Sequence, residues 1–204
     1  MEKILSDTLW ESDKMALAIN PKQVTTSHGV VDCGDLSAYT CRKIINERTR
    51  PSNKSVKGRI QNDGSYKLSK KRDVDCWIID EKQQWIDEII INTAETAMSY
   101  LDYNLVGLLE RPQLLRYTSP SKGYNWHVDL GQGEASTRKI SISICLNEDF
   151  VGGEILFFSD ELYKLELPLG KCIAFPSFLS HKVLPVRQGV RWALVAWISG
   201  EPFR

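Results

Sequence analysis

Beyond Pro112 the sequence breaks into short segments rich in β-branched and aromatic residues, and this punctuation limits the fold more than any other feature of the chain. Stretches 113–118, 125–129, 139–146, 153–158, 171–175, 181–186 and 191–198 read as strands separated by Gly, Pro, Ser and Asn. Many short strands at regular spacing argue for an all-β barrel or jelly roll. Ahead of Pro112 the period is different. Asp80 reads as the N-cap of a helix, with Gln83 at the capping-box position. Ile86, Ile90, Ala94, Ala97 and Leu101 then recur at three- and four-residue steps, the apolar stripe of a core-facing helix. Asp35 reads as the N-cap of an earlier helix reaching about Glu47, and Val74 to Ile79, with Trp77, as a strand. Residues 1–34 read as an edge strand and a short loop. The expected class is mainly β with N-terminal helices, that is, α+β.

Two phrases concentrate the chemistry: Tyr124-Asn-Trp-His-Val-Asp129 and His181-Lys-Val-Leu-Pro-Val-Arg-Gln-Gly-Val-Arg191. On a strand, His127 and Asp129 share a face and Val128, like Trp126, turns to the opposite layer, where Trp126 packs. Alone, His-x-Asp is a weak signal that an ordinary edge-strand ion pair explains equally well. The chain, however, has only three histidines. A second imidazole, His181, follows the turn-like 176–180 and is placed to approach the first pair from across the barrel. Two histidines and one carboxylate on one side of an octahedron suit Fe(II) and leave three positions open. His28 lies outside both phrases and reads as an exposed or loop histidine. Arg191 sits in an otherwise apolar run, Trp192 to Ile198. A guanidinium buried there needs an anion, and its planar fork suits a carboxylate; the alternative is a barrel-exterior arginine. Arg187, in the 185–189 turn, reads as solvated.

Length and charge set the bounds. The chain of 204 residues reads as a single domain, 1–204, with helices and flanking strands over 1–110 and the β core over 111–204. Its 26 basic and 26 acidic residues cancel, so no whole-chain field points to nucleic acid. No apolar run suits a signal peptide or a membrane span. Five cysteines without Cys-x-x-Cys spacing fit neither a disulfide framework nor a zinc site. These features place the chain in a reducing compartment, the cytoplasm. Residues 51–72 carry seven Lys and Arg against Asp63. They read either as a solvated loop or as a basic lip that contacts an acidic substrate segment.

From about Leu114 to Ile198 the sequence resembles the iron(II)- and 2-oxoglutarate-dependent dioxygenases, in their prolyl 4-hydroxylase-like branch. The matching pieces keep the family's order: Arg116-Tyr117; Tyr124-x-x-His127-x-Asp129; the strand ending Leu146-Asn147; Gly152-Gly153-Glu154; Ala174-Phe-Pro-Ser177; and His181-x-Val-x-Pro-Val with Arg191 beyond. The resemblance implies a double-stranded β-helix (jelly-roll, cupin-like) core buttressed by the long helix. It implies Fe(II) held by His127, Asp129 and His181, with 2-oxoglutarate and O2 as cosubstrates and ascorbate open as an accessory. It further assigns the far carboxylate of 2-oxoglutarate to Arg191 and the Tyr117 hydroxyl, and leaves Tyr124 to line the substrate entrance. Cys145 stands where relatives often have a second tyrosine. Glu154 is expected to face outward, and loop 130–137 to cover substrate. The implied reaction is hydroxylation of an unactivated C–H, foremost of a prolyl residue in a peptide or protein. Another amino-acid side chain, a free amino acid, a nucleic-acid base, a cupin-like enzyme without cosubstrate and a non-enzymatic binding module stay open as alternatives. Oligomeric state stays open too.

Overall fold

In this computed structural model the described residues are 26–50, 53–57, 59–62, 65–68 and 73–203. The reading of 1–25, and of Lys70, Lys71 and Arg72 in the basic stretch, lies outside them. β1 (Thr26–Ser27) and β2 (Val30–Asp35) form a hairpin turned at His28 and Gly29, and α1 (Ala38–Arg48) follows. β3 (Val56–Lys57), β4 (Arg59–Asn62), β5 (Ser65–Leu68) and β6 (Asp75–Ile78) precede α2 (Gln84–Met98). Then come β7 (Leu105–Gly107), β8 (Gln113–Thr118), β9 (Tyr124–His127) and a 3-10 turn at Gly133–Thr137. The chain closes with β10 (Arg138–Cys145), β11 (Phe150–Gly152), β12 (Ile155–Phe158), β13 (Leu162–Leu165), β14 (Lys171–Pro176), β15 (Ser180–Val183) and β16 (Val186–Gly200).

Among the described residues every strand pairing is antiparallel. The larger sheet runs β1-β2-β14-β10-β16-β8-β6-β3, with β7 and β11 on the two ends of the long β16. The smaller sheet runs β13-β12-β15-β9, and β4-β5 is a separate hairpin. This is the expected mainly β architecture.

Period-two alternation divides the larger sheet into two faces. Ile140, Ile142 and Ile144 of β10, Cys172 and Ala174 of β14, and Leu194, Ala196 and Ile198 of β16 meet α1 and α2 in the main core. From α2 come Ile86, Ile90, Ala94 and Ala97 of the expected stripe together with Ile89, while Leu101 lies past the helix end and is partly buried; each buried isoleucine contributes about 1.5–3 kcal/mol. Residues of opposite parity, Ile173 and Phe175, meet Ile155 and Phe157 of the smaller sheet in a second core. Between the sheets, at the other end, Leu115 and Tyr117 pack with Val183 and Val186.

Both helix starts differ from expectation. Strand β2 runs to Asp35, whose carboxylate pairs with Lys171 at 2.9 Å, so Ser37 caps α1 by accepting from the Thr40 N–H. Asp80 accepts from the Lys82 N–H and pairs with Arg48 across to α1. It therefore closes a turn before α2, whose N-cap, Gln83, makes no side-chain capping bond. The expected turn at 185–189 is absent: β16 begins at Val186, and the exposed Arg187 lies on a strand.

Candidate metal centre

His127 ends β9, and the neighbouring strand β15 places His181 opposite it in register. The second imidazole thus arrives from the adjacent strand rather than from across the barrel, and the two ring centroids stand 4.1 Å apart. Asp129 is not on the strand. It lies two residues beyond, where its own N–H and that of Leu130 both donate to the Ser177 carbonyl, at 2.9 and 2.8 Å. This double bond to one oxygen folds the segment back, so the carboxylate reaches both histidines. His127 Nε2 lies 3.6 Å from Oδ1 and His181 Nε2 3.7 Å from Oδ2. One ligand atom from each residue fits within 4.8 Å of the others.

The imidazoles are turned for this. His127 Nδ1 meets the Asn125 carbonyl at 2.8 Å, and His181 Nδ1 the Leu179 carbonyl at 2.9 Å. A carbonyl only accepts, so each Nδ1 carries the proton and each Nε2 presents a lone pair. Tyr124 stacks on the His127 ring with centroids 3.5 Å apart. Burial works against a charge on Asp129. The flanking His181 and His127 in their protonated form, with Arg138 and the Trp197 indole, outweigh it and hold the carboxyl well below the usual carboxylate range. Arg138 also donates to the Asp129 carbonyl at 3.1 Å and is itself paired with Glu110.

A second pole lies on β16 and β8. Arg191, only 2% exposed, faces Tyr117 in register, with its guanidinium 5.6 Å from the tyrosine ring centre. Among the described residues no carboxylate pairs with Arg191. An uncompensated buried guanidinium is costly, so this pole fits an anionic ligand. Gly153 makes room for it: a Cβ there, at φ +73, would stand 2.6 Å from Arg191 Cδ. Cys145 lies on the same side, and burial pushes its thiol up against the opposing pull of Arg191.

Other expectations needed correction. Trp126 and Val128 do turn away from the site, but they are not packed there: they are 38% and 47% exposed. Glu154 does not simply face out: it is half-buried, with Oε2 enclosed and unbonded. His28 lies in a turn, as read, where it stacks on Tyr163 at 4.6 Å and bonds to Glu161. The contributions of Ser141, Ser177, Arg138 and Trp197 around Asp129 were not foreseen. Serines alternating with isoleucines in β10 were the available sign, since hydroxyls on a buried face need partners.

An antiparallel double-stranded β-helix with two histidines and a carboxylate between its sheets defines a class of mononuclear metal proteins. The family model of the 2OG-Fe(II) oxygenase superfamily matches residues 112–199, the segment that carries the whole candidate site. A PKHD-type hydroxylase of Synechococcus sp. (strain CC9902) is 34% identical over 89 residues, covering 42% of this chain and 40% of the relative. The chain spans between 40% and 56% of the length of the curated relatives it matches. Among solved structures, a Pseudomonas putida prolyl-4-hydroxylase superposes with TM-score 0.66 at 20% identity, covering 86% of this chain and 94% of that one. A prolyl hydroxylase from Trichoplax adhaerens, in complex with a hypoxia inducible factor peptide fragment, gives TM-score 0.66 at 17% identity, with 85% and 84% covered. These likenesses establish the double-stranded β-helix fold. The superfamily's cofactor is Fe(II), with 2-oxoglutarate and O2 as cosubstrates.

Proposed function

We propose that this chain is an Fe(II)- and 2-oxoglutarate-dependent dioxygenase that hydroxylates a prolyl residue in a peptide or protein. The observation that carries the reading is the pairing of two poles in one barrel: a three-ligand cluster with both Nε2 lone pairs presented, and a buried arginine that no carboxylate of the described residues pairs with. His127, Asp129 and His181 would hold the iron. The fit rests on the donor set, which puts two neutral nitrogens and one anionic oxygen on one side and leaves the other side to ligands. Arg191 and Tyr117 would hold the far carboxylate of 2-oxoglutarate by charge-assisted hydrogen bonds. When bound, iron and cosubstrate supply the oxidising chemistry; the protein supplies position, a fixed positive charge and a dry pocket.

A groove of about 720 Å³ runs along β6 and the 3-10 turn, lined by Val56, Cys76, Ile78, Leu109 and Glu134. Glu110 also lines it and pairs with Arg138, which holds the Asp129 carbonyl, so the groove is linked to the metal cluster through these two side chains. Its half-exposed apolar side chains suit an extended peptide, and the peptide bound to the Trichoplax enzyme supports that substrate class. The whole described chain acts as one domain in this reading, because β2, β3 and β6 join the same sheet as β10 and β16. Among the described residues no helix is long and apolar enough to cross a membrane.

The test is anaerobic addition of Fe(II) and then 2-oxoglutarate to metal-free protein, followed by proline peptides with O2 and assay of succinate. A visible charge-transfer band and peptide-dependent succinate are expected. Iron binding without the band would point to a cupin-like enzyme, and no iron binding to a binding scaffold. Gly153→Ala is expected to weaken 2-oxoglutarate binding while leaving Fe(II) binding in place, because the new Cβ displaces Arg191 rather than the triad. Its backbone strain should also cost about 1–3 kcal/mol, read as a lowered thermal midpoint.

A further inference from the structure

Asp129 rests on two buried serines that the binding of iron and cosubstrate does not by itself require. Ser141 is 1% exposed and donates its hydroxyl to Asp129 Oδ2 at 2.7 Å. Ser177, fully buried, has its Oγ 3.0 Å from Ser141 Oγ. A hydroxyl carries one hydrogen. That of Ser141 goes to the carboxylate, so the bond between the serines is donated by Ser177. The pair forms a directed relay, Ser177 to Ser141 to Asp129.

The fold aims this relay. In β10 the isoleucines turn to the helices, which leaves Ser141 on the barrel side, opposite Phe175 of β14 and Trp197 of β16. Ser177 follows directly on β14, and its carbonyl receives the Asp129 and Leu130 N–H groups. One residue therefore sets both the height of the ligand segment and, through Ser141, the rotation of its carboxylate. Hydroxyls this deeply buried are costly unless bonded, and these are bonded in series.

We propose that Ser141, oriented by Ser177, is a positioning residue that holds Asp129 to one-oxygen coordination of the metal, through Oδ1. With Oδ2 engaged, the carboxylate occupies one metal position. Released, it could turn and chelate through both oxygens, taking a position that a two-point ligand such as 2-oxoglutarate needs. The inference rests on the triad being the metal site.

The experiment is an anaerobic Co(II) titration of metal-free protein, followed by visible absorption before and after 2-oxoglutarate. Ser141→Ala is expected to bind Co(II) about 10–100-fold more weakly, as outer-shell changes do, with a diminished spectral response to 2-oxoglutarate. Ser141→Thr keeps the hydroxyl in a strand that accepts β-branched residues and should restore both readouts. Ser177→Ala should show a smaller loss of the same kind. Thermal unfolding of each metal-free variant checks the fold, and if Ser141→Ala does not fold, Ser177→Ala carries the test. Unchanged Co(II) affinity and an unchanged response to 2-oxoglutarate in the folded variant would overturn the role of the serines and leave the metal site standing. Failure of the unaltered protein to bind Co(II) would overturn both.

Discussion

Asp129→Ala is expected to abolish hydroxylation and to weaken Fe(II) binding by more than the roughly 10–100-fold that outer-shell changes cause. Asp129 is the one anion among the three ligands, and the two Nε2 atoms stand 3.6 and 3.7 Å from its oxygens. Its removal leaves two neutral imidazoles to hold a divalent cation. It also takes the charged acceptor from the Ser141 hydroxyl, a buried loss of about 1–3 kcal/mol. Asp129→Asn separates the two effects, because it keeps an oxygen acceptor and discards the charge. Isothermal titration with Fe(II) under argon and succinate assays on both variants give the readout. Normal turnover by Asp129→Ala would sink the assignment of the metal centre.

Arg191→Met is expected to behave in opposite ways toward ligand and fold. Truncating one partner of a buried, hydrogen-bonded charge pair costs about 2–5 kcal/mol, so 2-oxoglutarate affinity should fall roughly 30- to 4,000-fold. Without 2-oxoglutarate, however, the guanidinium is an unpaired buried charge, and an apolar side chain of similar length should leave the thermal midpoint unchanged or raise it. The unaltered protein should gain stability on adding 2-oxoglutarate and the variant should not. Arg191→Lys should recover little of the affinity, since an ammonium lacks the planar fork. A variant that lost stability in the absence of 2-oxoglutarate would show that Arg191 serves the fold and not an anion.

Much of this site was legible because its signals are local. A strand's alternation put Arg191 and Tyr117 on one side of the larger sheet and the isoleucines of β10 on the other. The α2 stripe was legible for the same reason, as a period of 3.6 over four turns. The helix starts were not, since Asp35 and Asp80 found ion partners, Lys171 and Arg48, in distant segments that outcompete a cap. By strand parity Trp126 read as a packing residue, yet its ring is 38% exposed.

By itself the sequence determined which residues are chemically competent: two histidines, an aspartate and an arginine in strand-like surroundings, with identities that suit iron and a dicarboxylate. The tertiary structure alone decided how they meet. The pairing of β9 with β15 makes His127 and His181 neighbours, and the Ser177 carbonyl draws Asp129 out of the strand direction toward them. The physical reason is that side-chain parity is set by each residue's immediate backbone. Strand partnership and register depend on long-range closure and on bulges, such as the register shift between His181 and Val183, that no local pattern encodes.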